Sequence, residues 1–172
     1  MSTFAKAVAI AVKAHEGQVD LQGQPYITHP LRVASSFYQR LHEAFGDNKE
    51  MEALAIVGIL HDVIEDTEVT ALDLKREGFS EIIINALGAL THCKDESYTH
   101  YVMRVKLDPI ATQVKLKDLK DNSDLDRLIF SPQNREKDLK RVQKYALSYM
   151  FLTEKIDFKT YEDAITNLYR KA

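Results

Sequence analysis

Ten consecutive residues, Met51–Leu60 (MEALAIVGIL), are apolar almost all the way round a helical wheel and run straight into His61 and Asp62. A helix of that kind has no polar face to offer water, so it must sit among other elements and be covered on most sides. What covers it is constrained by the scarcity of breakers. Six Gly and four Pro in 172 residues are about half the share of an average globular sequence. A sandwich or small barrel needs a turn every eight to twelve residues or so and would use more of both. The expectation is therefore an all-α chain wrapped around 51–60. With 45% hydrophobic and 28% charged residues, residues 1–172 read as a single domain with one core.

Helix signals recur on both sides of the central run. Phe4 to Ala14 has apolar residues at helical spacing and stops at His15-Glu16-Gly17. Gln18 to Thr28 is too polar and broken for a helix and reads as a shaped loop, with Gly17, Gly23, Pro25 and Pro30 crowded into one short stretch. Thr28 is an N-cap candidate with Pro30 in the first turn of a helix to about Phe45, which Gly46-Asp47-Asn48 ends. Thr70 with Asp73 opens a short helix to Glu77, Ser80-Glu81 one to Leu90, and Ser97 one to Leu107. Asp108-Pro109 opens a helix toward Asn122 and Ser131-Pro132 a long one to about Glu154; Thr160 or Tyr161 starts a last one to Arg170.

The 23 Lys and Arg against 26 Asp and Glu leave a formal charge of -3, so no global basic field holds a nucleic acid and an anionic ligand has to meet a local pocket. No apolar run approaches a membrane-spanning length and no leader pattern opens the chain, which reads as cytoplasmic. The single Cys93 excludes an internal disulfide and a zinc ribbon.

His61-Asp62, followed by Glu65 and Asp66, places charges at the end of the most buried helix, where they need partners. If the helix continues to Asp66, steps of about 100° put 61, 65, 62 and 66 on one side of the axis, facing one cavity. His29 is held at a helix start between Thr28 and Pro30, and Val114 to Asn122 ends an amphipathic stretch with Asp118. His29, His61, Asp62 and Asp118 together make a mixed nitrogen and oxygen set that suits Mn²⁺, Fe²⁺, Co²⁺ or Zn²⁺ better than Mg²⁺. Four protein ligands leave positions for water and substrate, a hydrolytic arrangement in which Glu65 or Asp66 takes the water's proton. Lys115, Lys117 and Arg104 are candidates for anionic groups and Tyr26 for a base. His15, His92 and His100 read as packing or surface residues.

The stretches AVKAHEGQ (11–18), GQPYITHPLRVA (23–34), ALAIVGILHDVIEDT (53–67), ALTH (89–92), YVMRV (101–105) and VKLKDLKDNSDL (114–125) resemble the HD superfamily of metal-dependent phosphohydrolases, specifically the RelA/SpoT-type hydrolase domain in its small stand-alone form. The resemblance spans a motif core of 5–128, with 131–172 expected to pack on it. It implies a compact HD-domain bundle of about nine or ten helices and Mn²⁺-dependent removal of the 3′-pyrophosphate from alarmone nucleotides such as ppGpp. On that pattern His29, His61, Asp62 and Asp118 match the metal ligands, Glu65-Asp66 the acidic pair that orients water, and Asn122 a residue near the nucleotide. The family's basic pair at the guanine is replaced by Asp20-Leu21, and its D-R-x-H-N motif reads Asp118-Leu119-Lys120-Asp121-Asn122. The exchange implies a different or broader nucleotide set, ppApp included.

The resemblance also implies a functional pairing with a small alarmone synthetase. Two alternatives stay open: another HD-type phosphohydrolase acting on nucleotide monoesters or NADPH, and a silent module that binds a nucleotide or protein.

Overall fold

The computed structural model describes residues 3–43, 49–125 and 134–170; the side chains of 40–43 are outside that description. The expected end of the second helix near Phe45 and the start of the long one at Ser131-Pro132 also fall outside the described residues. Ten helical segments follow in order: α1 (Thr3–Ala14), α2 (Thr28–Glu43), α3 (Lys49–Leu60), α4 (Val63–Asp66), α5 (Ala71–Arg76), α6 (Glu81–Leu90), α7 (Tyr98–Lys106), α8 (Pro109–Asn122), α9 (Arg135–Leu152) and α10 (Phe158–Tyr169). Among the described residues the nearest thing to a strand is one antiparallel bridge between Val19 and Pro25. The fold is all-α, and no described helix is long and apolar enough to cross a membrane.

The apolar run forms α3, buried without interruption from Leu54 to Leu60. It packs against α1, α2, α6 and α8. Gly58 is where α2 crosses it: a Cβ there would come 3.1 Å from the Ala34 Cα, so a larger residue would force the two backbones a few tenths of an ångström apart. The crossing lies just before His61 on one helix and shortly after His29 on the other, which brings those two histidines together. α8 lies against both, and α9 and α10 close over α7 and α8, with the Phe151 and Tyr161 rings stacked at 4.9 Å.

Several helix starts follow their caps. Thr70 and Asp73 form a reciprocal capping box, the Ser97 hydroxyl accepts from the His100 amide, and Asp108 accepts from Ala111 with Pro109 in the first turn. α10 begins earlier than expected, at Phe158, because the Asp157 carboxylate accepts from the Thr160 amide at 2.7 Å. The loop between α1 and α2 is organised rather than merely broken. Gly17 and Gly23 take left-handed φ of 78° and 75°, and the Asp20 carboxylate accepts the amides of Gln22 and Gln24 at 2.8 and 3.0 Å.

Candidate metal centre and active-site cavity

Three elements converge on one point. The first turn of α2 supplies His29, the end of α3 and the turn after it supply His61 and Asp62, and the inner face of α8 supplies Asp118. His29 Nε2 lies 3.2 Å from Asp118 Oδ1 and 3.6 Å from Asp62 Oδ2. His61 Nε2 lies 3.1 Å from Asp62 Oδ2 and 3.9 Å from Asp118 Oδ1. Both histidines and Asp118 are buried, and the ligand atoms of His29, His61 and Asp62 fall within 4.8 Å of one another.

The outer nitrogen of each imidazole is already committed. His61 Nδ1 faces the Gly58 carbonyl at 2.9 Å, which only accepts, so that nitrogen carries the proton and Nε2 presents its lone pair inward. His29 Nδ1 lies 2.6 Å from Asp121 Oδ2, and Asp121 is itself gripped by Arg32 through Nε and Nη2 at 2.7 and 3.2 Å. This carboxylate behind a ligating histidine is the outer support that fixes a metal-binding ring. His61 Nε2 is buried with no hydrogen-bond partner among the described residues. Two lone-pair nitrogens aimed at two carboxylates need a cation between them, so the residues fit a divalent ion with mixed nitrogen and oxygen ligands.

The electrostatics agree. Burial lowers the basicity of His29, but its hydrogen bonds to Asp118 and Asp121 and the charges of Asp118 and Asp62 overturn that and push its pKa up to about 9. His61 is raised too: burial works against its protonation and the Asp62 charge outweighs it. Burial pushes Asp62 up, and the charge of the neighbouring His61 carries it down to about 2. Asp118 is likewise lowered against its burial, chiefly by Lys115, whose Nζ sits 2.8 Å from Oδ2. Asn122 donates to Asp118 Oδ1.

The centre opens into a cavity of about 410 Å³. Of the residues singled out from sequence, His29, His61, Asp62, Asp118, Glu65, Tyr26, Lys115 and Asn122 line it. Glu65 is held in the wall because its Oε2 accepts the His92 amide at 2.8 Å. Tyr26 donates to Asp62 Oδ2 at 2.6 Å, so its phenol is spent on that carboxylate.

Three residues go elsewhere. Asp66 is not part of the cavity wall, contrary to the expectation that 61, 62, 65 and 66 share it. The chain turns at His61-Asp62 and restarts as α4, leaving the Asp66 carboxylate 3.4 Å from the Tyr26 hydroxyl and its carbonyl accepting from Gln18. Lys117 reaches over the Phe37 ring at 5.9 Å rather than into the cavity. Arg104 clamps Glu96 at 2.9 and 2.6 Å and donates to the Gly88, Ala89 and Thr91 carbonyls at the end of α6.

Sequence reading missed the opposite wall: Tyr98 and Tyr101 of α7, Lys144 and Tyr145 of α9, and Tyr169. An aromatic at helical spacing looks the same whether it faces a core or a cavity. A second cavity of about 290 Å³ adjoins on the side of Asp20, Leu21 and Gln22, shares Tyr26, His29, Asn122 and Tyr145, and is also lined by Arg141.

An all-helical bundle with a buried pair of imidazoles and a pair of aspartates at the mouth of such a cavity defines an HD-type domain. No family model matches the chain, but curated relatives do. It is 50% identical over 68 residues to a guanosine-3′,5′-bis(diphosphate) 3′-pyrophosphohydrolase of Haemophilus influenzae, covering 40% of this chain and 9% of that protein. It is 30% identical over 127 residues to the bifunctional (p)ppGpp synthase/hydrolase SpoT of Escherichia coli K12, covering 68% and 17%. A GTP pyrophosphokinase of Streptomyces coelicolor is 29% identical over 164 residues, covering 90% and 18%. The chain thus spans less than a fifth of the length of these relatives. A solved structure of a metazoan ortholog of SpoT, described as hydrolysing ppGpp, shares the fold at a TM-score of 0.67 and 20% identity, over 99% of this chain and 96% of that one. This chain is an HD-type domain of the RelA/SpoT kind.

Proposed function

We propose that the chain is a metal-dependent 3′-pyrophosphohydrolase of alarmone nucleotides of the ppGpp and ppApp type, with Mn²⁺ as its ion. The observation that carries this reading is the His29, His61, Asp62 and Asp118 centre opening onto a cavity that Glu65 and Lys115 also line, in a chain whose relatives include proteins named for that reaction. His29, His61, Asp62 and Asp118 would hold a divalent ion, which would supply Lewis acidity and acidify a water. Glu65, fixed by the His92 amide, accepts the water's proton. Tyr26 and Asn122 aim the carboxylates of Asp62 and Asp118, and Lys115 neutralises the far oxygen of Asp118. Asp66 acts only through Tyr26, as a positioning residue. Asp20 is tied to its own loop and Leu21 is exposed, so residues 20 and 21 offer the base no cation, which favours a nucleotide set wider than guanine. Pairing with a small alarmone synthetase, whose product such an enzyme removes, belongs to the same proposal.

The test is a hydrolysis panel of ppGpp, pGpp, ppApp and NADPH with Mn²⁺, read by nucleotide product. Release of intact pyrophosphate from the 3′-diphosphates is the expected result. Orthophosphate alone, released only from monoesters, overturns it.

A further inference from the structure

Most cations around the cavity are spoken for. Lys115 pairs with Asp118 at 2.8 Å, Lys140 with Glu136 at 2.8 Å and Arg141 with Asp138 at 3.4 Å. Lys144 has no carboxylate partner among the described residues. Its ammonium stands 4.3 Å from the centroid of the Tyr98 ring and 5.3 Å from that of Tyr145, contacts that return only part of what a desolvated charge loses. Burial, together with the charges of Lys115 and Arg141, makes it harder to protonate than an ordinary lysine. A cation placed among cations, on aromatic faces and in a cavity wall, is a group waiting for an anion.

The position of Lys144 says which anion. With Tyr169 it lines both the cavity of the metal centre and a further one of about 510 Å³, whose other residues are Asn134, Glu136, Lys137, Lys140 and Arg141 of the first turns of α9 and its cap. Lys137, Lys140 and Lys144 repeat at three and four residues and so share one face of α9. Lys137 has no carboxylate partner among the described residues either. The outer cavity is therefore a basic neighbour of the inner one, with Lys144 and Tyr169 in the wall of both. A ligand that fills both carries one anionic group at the metal centre and a second, extended one several ångströms away.

We propose that Lys144 is a specificity-determining residue that binds a second phosphate chain of the substrate, remote from the scissile diphosphate, with the outer cavity beside Lys137 receiving the end of that chain. The protein thereby selects nucleotides by the number of phosphates at their far end. This rests on the pyrophosphohydrolase reading above and goes beyond it in naming what the second wall of the site recognises.

The test measures KM and kcat for nucleoside 3′-diphosphates bearing one, two or three 5′-phosphates, with the full chain and Mn²⁺. In the native protein KM falls with each added phosphate. Lys144→Met raises KM for the 5′-di- and triphosphates by about tenfold, the loss of one charge-assisted contact, and flattens the series, the loss falling on KM rather than kcat. Lys144→Arg restores the slope, and Lys144→Gln repeats the test should the Met variant fold poorly. A flat series in the native protein, or an unchanged slope in the Met and Gln variants, overturns the proposal. Calorimetric titration with inorganic tripolyphosphate separates this failure from that of the activity itself. Weaker binding in Lys144→Met supports the subsite even if no 3′-diphosphate is cleaved, and equal binding by the two proteins overturns it.

Discussion

Asp118 faces two imidazoles through one oxygen and Lys115 through the other, with Asn122 bonded to it from one turn along α8. Asp118→Asn keeps the shape and removes the charge that Lys115 and the cation site both depend on. The expected outcome is a loss of bound divalent metal, measured by elemental analysis, and a fall in kcat/KM of about a hundredfold or more. Retention of stoichiometric metal with unchanged kcat/KM sinks the assignment. His29 supplies a pH test of the same centre. Its folded pKa is pushed up to about 9, above an unfolded value of about 6.5, so its protonation stabilises the metal-free chain fully below pH 6.5 or so and is lost as pH rises through 9. His61 is shifted in the same direction. Asp62, lowered to about 2, contributes in the opposite sense: its stabilisation is present above pH 4 or so and is lost as pH falls through 2. Denaturant midpoints in EDTA should therefore decline from pH 6.5 to 9, with a smaller decline in His29→Gln. A midpoint that holds level or climbs over that range contradicts the protonation scheme. Metal affinity should rise over the same window, because the ion displaces those protons.

Arg104 shows how an element decides what a side chain is for. It sits on α7, yet its guanidinium satisfies three carbonyls at the end of α6 and locks Glu96 of the connecting loop. That loop carries the His92 amide on which Glu65 rests. Arg104→Met should lower stability by about 2 kcal/mol, seen as a reduced denaturant midpoint, and lower kcat through a loosened Glu65 while leaving KM for the nucleotide near its native value. A KM rise of tenfold with unchanged stability would return Arg104 to the substrate. Sequence cannot make this distinction, since an arginine on an amphipathic helix has the same spacing whether it meets a phosphate or a neighbouring helix end. The caps were legible for a physical reason: Thr70, Ser97 and Asp108 act on amides three residues away. Asp157 carries the same local signal, and reading the start at Thr160 overlooked it. The break between α3 and α4 was not legible, because the partners that His61 and Asp62 meet there, on α2 and α8, are far away in sequence.

At the scale of the whole molecule the proposed metal centre would crosslink distant parts of the chain. His29, His61 with Asp62, and Asp118 come from α2, the end of α3 and α8, and without an ion the four groups are held by protons and by their supports, Asp121, Gly58, Tyr26, Lys115 and Asn122. The apolar run 51–60 makes that convergence readable from sequence, since a helix with no polar face must be central and its charged end must meet its neighbours; the Gly58 crossing that sets it is seen only in the fold. The tyrosine and lysine wall from α7 and α9 was not readable, because its composition matches that of an ordinary half-buried face. An ion that binds only the folded centre stabilises the fold by mass action: at a hundred times its dissociation constant the gain is about 2.7 kcal/mol, which for a chain of this size raises Tm by roughly 5 to 10 °C. Mn²⁺ added to EDTA-treated protein should produce that shift in a thermal melt. Asp62→Asn and Asp118→Asn should abolish it, whereas Lys117→Met, on the far side beside Phe37, should leave it intact. A shift of equal size in all four proteins would place the ion somewhere other than this centre.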